Sequence, residues 1–272
     1  MDRQSETMKA MLAEMLFWFH QFCCEHGLRY YALGGTMLGA VRHQGFIPWD
    51  DDVDIGMPRE DYRRLRALMR GASHCRYVLE TPESKNRDFY YTFSKLYDTR
   101  TTLVENTRHK IRRGIYLDIF PLDGAGNSRE EALTLFRPIH WRVQLLLALT
   151  TGIRKGRSGW KNAGVRLLRP VPAWPLGKWL MGDLERLCSR SSFDDCAWFG
   201  NLTGNYGERE LMPRAYLGEP MQYPFEGFWI YGPREYDAYL THLYGNWRDL
   251  PPVEKRKSHH DFLLVDLEKS YL

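Results

Sequence analysis

Gly34-Gly35-Thr36 and, a short way on, Pro48-Trp49-Asp50-Asp51-Asp52-Val53-Asp54-Ile55 form the part of the chain on which its fold and chemistry turn. The glycine pair reads as a tight turn that leads into a helix start. The second stretch brings four carboxylates together in a strand-like segment. Strands place alternate residues on one face, so Asp50, Asp52 and Asp54 are expected to point together while Asp51 points away. Three like charges side by side repel, and an ordinary core would not favour them. A divalent cation reverses that balance, because Mg²⁺ binds through one or two carboxylates plus substrate phosphates. Phosphoryl and nucleotidyl transfer both need that arrangement.

An acidic run alone is weak evidence, since most such runs are solvated turns. Its surroundings sharpen it. Val53 and Ile55 alternate with the acids, which predicts a half-buried strand. Leu28–Leu33 is strand-like and ends at the glycines, where a backbone can approach a phosphate closely. Thr36–Arg42 then reads as a short helix whose N-terminus offers free N–H groups and a positive dipole end to an anion. A simple tight turn would also explain Gly34-Gly35 by itself.

Two further charges stand alone in apolar runs. Asp118 interrupts Ile115-Tyr116-Leu117-Asp118-Ile119-Phe120, which otherwise reads as a buried central strand. A buried carboxylate is costly, so it needs a metal, a cation or a raised pKa. A salt bridge to a core Arg or Lys would satisfy it equally. Lys95 lies in Tyr91-Thr92-Phe93-Ser94-Lys95-Leu96-Tyr97, where its point-like ammonium suits a phosphate oxygen or simply faces solvent from a strand. Asp123, past Pro121, is expected in an Asp-Gly turn. Arg42 is positioned to contact nucleotide phosphates or to cap its helix. His43 as a general base is not favoured.

The run from Tyr31 to Ile55 resembles the nucleotidyltransferase superfamily, and more closely its LicD family of bacterial phosphocholine transferases and fukutin-related proteins. Further matches are Phe93-Ser94-Lys95, Tyr116–Gly124, and Leu243-Tyr244-Gly245-Asn246-Trp247 with Leu250–Arg256 beyond it. Sixteen residues separate Gly35 from Asp52, more than the general superfamily pattern, and a LicD-type insertion of His43–Trp49 accounts for them. The resemblance implies an α+β fold: a nucleotidyltransferase-like mixed β-sheet flanked by helices, with a basic helical insertion. It implies a metal site of Asp52, Asp54 and Asp118, holding Mg²⁺ (or Mn²⁺), in which Asp118 also receives the proton of the attacking hydroxyl. Gly34, Gly35 and Thr36 would cradle phosphate, with Lys95 and Arg42 as further substrate contacts.

At 272 residues, with 43% hydrophobic and 14% aromatic content, the chain is globular rather than disordered. Its five cysteines, odd in number and without a Cys-x-x-Cys pair, read as reduced thiols rather than a disulfide frame or zinc site. No signal-peptide pattern and no run of about 18 apolar residues appears, so a cytoplasmic protein, soluble or peripheral at the inner face of the cell membrane, is expected.

Apolar residues from Met8 to Cys23 recur at helical spacing, and a second helix follows Pro58, with Tyr62, Leu65, Leu68 and Met69 on one face. Strands are expected at Tyr77–Glu80, Phe89–Tyr97, Thr101–Glu105 and Ile115–Phe120, giving a mixed sheet. Between Ala132 and Gly182 there is no acid but nine bases, Arg137, Arg142, Arg154, Lys155, Arg157, Lys161, Arg166, Arg169 and Lys178, with Trp141, Trp160, Trp174 and Trp179 interspersed. Bases with interleaved Trp and Leu suit an anionic membrane surface. The other reading is a basic insertion packed on the domain; nucleic acid would be drawn to such a patch but is not expected as a partner. The boundaries drawn are a catalytic core at 1–130, the insertion at 131–190 and a closing segment at 191–272.

The expected activity is transfer of phosphocholine from CDP-choline to a hydroxyl of a cell-surface glycan or its lipid-linked precursor, with CMP released. Other CDP-linked groups (phosphoethanolamine, ribitol phosphate), nucleotidyl transfer, and a non-catalytic adaptor are the alternatives. Tyr223, Trp229, Tyr231, Tyr236, Tyr239, Tyr244 and Trp247 supply candidate aromatic faces for a choline, although core packing explains most of them. Lys255–His260 reads as a basic tail.

Overall fold

The computed structural model describes residues 3–71, 76–151, 159–167, 170–258 and 262–272, the side chains of 160–162 and 255 excepted. Cys75, Arg154, Lys155, Arg157, Arg169, His259, His260 and the side chains of Trp160 and Lys161 lie outside the described residues.

The helices are α1 (Arg3–Glu25), α2 (Gly34–His43), α3 (Arg59–Leu68), α4 (Arg129–Thr150), α5 (Gly159–Leu167), α6 (Ala173–Cys188) and α7 (Tyr236–Tyr244). The strands are β1 (Tyr31–Ala32), β2 (Asp54–Pro58), β3 (Tyr77–Glu80), β4 (Ser94–Asp98), β5 (Thr102–Glu105), β6 (Arg112–Arg113), β7 (Tyr116–Gly124), β8 (Trp198–Gly200), β9 (Leu211–Pro213), β10 (Met221–Phe225), β11 (Phe228–Gly232) and β12 (Phe262–Asp266). The class is α+β, as expected. The main sheet runs β1-β2-β7-β4-β3, with β8 and β9 continuing from the far end of β7. It is mixed: β2 and β7 are parallel, and the other pairs are antiparallel.

Helical spacing buries Met8, Leu12, Met15, Leu16, Phe19 and Cys23 on one face of α1, against the same core that holds Val53, Ile55, Leu117 and Ile119. Of the face expected on α3, Tyr62, Leu65 and Met69 are buried, but Leu68 is exposed. β7 is longer than its apolar run suggests. It passes through Pro121 to Gly124, because Pro121 falls where pairing with β4 has stopped at Ile119 and pairing with β8 has yet to begin at Asp123. A missing N–H therefore breaks no ladder there.

Asp123 is accordingly not a turn residue. It sits in the strand and accepts from both Arg59 Nε and Nη2 at 2.7 Å. Arg59, the first residue of α3, also reaches Glu185 of α6 at 2.8 Å. Two other strands are shorter than expected: Leu28–Leu33 yields only Tyr31–Ala32, and Phe89–Tyr97 only its last four residues together with Asp98.

The basic segment maps onto α4, α5 and α6, of which α4 and α6 pack together. Arg142 of α4 donates to Asp183 of α6 at 2.6 Å. Trp141 and Trp179 are 77% and 62% exposed, so neither is absorbed by packing on the domain. Among the described residues no helix is long and apolar enough to cross a membrane.

Candidate active site

Three neighbouring strands bring the lone charges together. In the ladder Asp54 of β2 pairs with Asp118 of β7, and Asp118 pairs on its other side with Lys95 of β4. Cross-strand partners stand about 5 Å apart at Cα, so side chains on one face meet. Lys95 Nζ lies 3.1 Å from Asp118 Oδ1 and 3.2 Å from Glu105 Oε1, at the end of β5. Tyr91 donates its hydroxyl to the other oxygen of Glu105. The ammonium sits over the rings of Tyr116, at 3.3 Å from the centroid, and Tyr91, at 4.4 Å.

Lys95 is thus wholly buried, and the solvent-facing reading does not hold. Burial opposes its charge, but Asp118 and Glu105 prevail and hold its pKa above the ordinary lysine value. Asp118 makes the salt bridge that the sequence left open as an alternative. Nothing in its sequence surroundings announced Glu105, the single acid closing an apolar strand.

The acidic run is less regular than strand alternation suggested. Asp50–Val53 is extended loop, and β2 begins only at Asp54. A turn in which Asp50 N–H donates to Ile47 O precedes it, and ladder pairing starts when Val53 O accepts from Asp118 N–H at 3.0 Å. Parity therefore does not govern the run, yet its charges still sort. Asp51 accepts from Ser258 Oγ at 2.7 Å. Asp50 and Asp52 both act on Asp54. Burial, then Asp52, Asp118, Asp50 and Glu210, push the Asp54 carboxyl well above the usual range.

Gly34, at φ 49°, opens α2 in the left-handed region that suits glycine. Its N–H donates to Tyr239 Oη at 3.0 Å, so that group is engaged within the protein rather than presented to a phosphate. Thr36 Oγ1 accepts from Asp54 N–H at 2.9 Å and ties the first turn of α2 to the start of β2. A methyl built on Gly34 would stand 3.4 Å from Tyr244 Oη and 3.5 Å from Asp54 Oδ2; one on Gly35 would stand 2.5 Å from Asp50 Oδ2. The glycines therefore let carboxylates lie against a helix N-terminus, where first-turn N–H groups lack partners within the helix and the dipole favours negative charge. Arg42, at the other end of α2, donates to Trp247 O at 3.0 Å and to His43 Nε2 at 3.1 Å, tying the helix to the Leu243–Trp247 motif.

Glu210 and Tyr206 complete this corner, and neither was singled out by sequence. Glu210 lies in an ordinary-looking Glu-Arg-Glu run, where only burial distinguishes it. Its Oε1 accepts from Tyr206 N–H at 3.2 Å. Burial pushes its pKa up to about 7, against the smaller opposing effects of that hydrogen bond and Arg209. The folded state therefore holds a proton that the unfolded chain releases near pH 4.5. Stability is full below that pH and falls as pH rises towards 7, by up to about 3 kcal/mol. Glu210→Gln should erase this slope: variant and parent should unfold alike near pH 4.5, and the variant should be the more stable at pH 8. Parallel denaturation curves at both pH values would refute it.

The oxygen-only donor set of Asp52, Asp54 and Asp118 suits a hard cation such as Mg²⁺ or Mn²⁺. Like charges crowded on half-buried Asp54 are what such an ion would relieve. Among the described residues, no three His, Cys, Asp or Glu side chains stand ready to hold an ion as they are. A cleft of about 650 Å³ beside β3, lined by Glu80, Asp88, Arg113 and Tyr271 among others, contains none of the expected site residues.

Residues 27–142 match the family model for the LicD/FKTN/FKRP nucleotidyltransferase domain. Across 252 residues it is 28% identical to lipopolysaccharide cholinephosphotransferase LicD of Haemophilus influenzae, an alignment covering 90% of this chain and 92% of that protein. A 46-residue stretch is 52% identical to ribitol 5-phosphate transferase FKRP of human and mouse, covering 17% of this chain and 9% of each relative.

Proposed function

We propose that the protein transfers a phosphoalkyl group, phosphocholine from CDP-choline in the first instance, to a hydroxyl of a cell-surface glycan or its lipid-linked precursor, releasing CMP. The observation that carries this reading is the Asp54–Asp118 pair in the β2/β7 ladder, set against the glycine start of α2. The similarity to a cholinephosphotransferase along nearly the whole chain supports the donor.

Asp52 and Asp54 would hold Mg²⁺, or Mn²⁺ in its place, with Asp118 completing the set; an ion there offsets charge on the donor's pyrophosphate and the departing CMP. Gly35 and Thr36, in the first turn of α2, direct N–H groups towards the phosphate. Lys95, itself held by Glu105, fixes the orientation of Asp118, which would accept the proton of the attacking hydroxyl. Lys95 acts through Asp118 more than on phosphate directly. Catalysis in this scheme is positioning and electrostatic stabilisation. The exposed Trp141 and Trp179, among the bases of 132–182, are the residues we assign to peripheral contact with an anionic membrane carrying the acceptor.

Ribitol phosphate is the second donor reading, favoured by the short, strong similarity to ribitol 5-phosphate transferase FKRP. A thermal-shift series with CDP-choline, CDP-ethanolamine, CDP-ribitol and CTP, each with Mg²⁺, separates the readings, because a ligand that binds the folded state raises its melting temperature. CDP-choline should give the largest shift. If none of the four moves the transition, the donor class is wrong.

A further inference from the structure

We infer that Tyr206 and Tyr244 form the subsite for the donor's head group and select a quaternary ammonium there. The inference rests on the phosphoalkyl-transfer reading and names the substrate chemistry of that same site. A choline nitrogen is only two carbons from its phosphate oxygen. Its pocket must therefore adjoin the carboxylates, which eliminates most aromatic side chains near the C-terminus.

The structure places the others elsewhere. Tyr223 donates to Pro233 O at 2.7 Å, Tyr236 packs against Tyr223 and Trp247, and Trp229 lies opposite Pro224 in the β10/β11 hairpin. Tyr231 packs against His20 and Tyr30, and Trp247 Nε1 donates to Asp237 at 3.0 Å. Tyr239 does reach the site, but it is buried and its hydroxyl holds the Gly34 N–H. On the opposite flank, Tyr91, Phe93 and Tyr116 already surround the Lys95 ammonium. The fold thus meets one ammonium with aromatic faces and carboxylates there, and that cage is full.

Tyr206 and Tyr244 are the pair that remains. Their rings meet edge to face, with centroids 5.6 Å apart and planes at 88°, and their hydroxyls are 3.1 Å apart. Two perpendicular rings make a corner rather than a flat wall. Tyr244 Oη and Asp54 Oδ2 both border Gly34, at 3.4 and 3.5 Å from a methyl built there. Tyr206 lies in the field of Asp54, Glu210 and Asp52, and at 39% exposure it leaves part of its surface to a ligand. The Arg209 guanidinium, 5.6 Å from the Tyr206 centroid, is a cation that the ring already attracts on one side. Aromatic faces beside carboxylates favour a permanent cation. A neutral polyol such as ribitol gains nothing from the same corner.

The test compares binding of CMP and CDP-choline, with Mg²⁺, by titration calorimetry. CMP shares the nucleotide but lacks the head group. Tyr206→Leu should weaken CDP-choline roughly tenfold and leave CMP within about twofold, whereas Tyr206→Phe, which keeps the ring, should bind both like the parent. Tyr244→Phe should also retain CDP-choline affinity. Equal effects on both ligands, or none on either, would overturn the subsite. A parent protein that binds CDP-ribitol more tightly than CDP-choline would leave the transferase reading standing and remove the ammonium corner. A parent that binds neither CMP nor CDP-choline would remove both.

Discussion

Asp54→Asn is expected to lower transfer by about a thousandfold or more while the protein melts no lower than the parent. The two halves of this result share a cause. Asp54 is half-buried near Asp52, Asp118, Asp50 and Glu210, and its charge is disfavoured by all of them. Asparagine keeps the shape and removes the repulsion, so the fold has nothing to lose electrostatically. Transfer loses a carboxylate that would hold a divalent cation, and stabilisation of transition-state charge by such an ion amounts to several kcal/mol, or roughly three powers of ten in rate. Mg²⁺ should raise the melting temperature of the parent and do so much less for the variant. Turnover within tenfold of the parent would remove Asp54 from the site, and a large drop in melting temperature would make its role structural.

Asp123→Ala should do the reverse, through stability alone. Arg59 and Asp123 are each only 2% exposed at their side chains and form a two-pronged ion pair at the junction of α3 and β7. Burial works against the Arg59 charge, but Asp123 and Glu185 outweigh it and hold its pKa above the ordinary arginine value. Removing Asp123 strands a guanidinium that cannot shed its proton, leaving only the partly exposed Glu185 to answer it. Breaking a buried pair in this way costs about 3–5 kcal/mol. For a domain of this size the melting temperature should fall by roughly 6–20 °C. Arg59→Met with Asp123→Leu should recover most of the loss, because the apolar pair removes both charges together. An alanine variant that melts within 2 °C of the parent would show that the pair is incidental.

Sequence periodicity made α1 and α3 legible, and lone charges in apolar runs drew attention to Lys95 and Asp118, which the sheet pairs. It did not reveal that they answer one another, because strand order is a property of the sheet. Asp118 meets Lys95 only because β7 lies between β2 and β4. The glycine pair was visible, but its role differs in part: Asp50 and Asp54 crowd its α-carbons, and one of its N–H groups belongs to Tyr239. Asp123 was misread because the Pro-Leu-Asp-Gly sequence carries the letters of a turn, whereas the gap between β4 and β8 lets a strand run through it. Glu105, Tyr206 and Glu210 left no trace in local pattern, since Glu105 matters through Lys95 on another strand, Tyr206 through distant Tyr244, and Glu210 through burial.

The pairing of β12 with β5 sets a schedule for assembly. Phe262 lies opposite Glu105 in that ladder, and Glu105 is one of the two carboxylates that hold the Lys95 ammonium. The residues that gather at β2, β7 and β4 all leave the ribosome in the first half of synthesis. The strand that pairs with β5, and so backs Glu105, begins only at Phe262. Until then the nascent chain carries a buried-to-be cation whose scaffold is unfinished, with the loop-closure penalty of that long separation still unmet. Competence should therefore arrive late and abruptly, with translation past residue 266, rather than grow as the sheet forms.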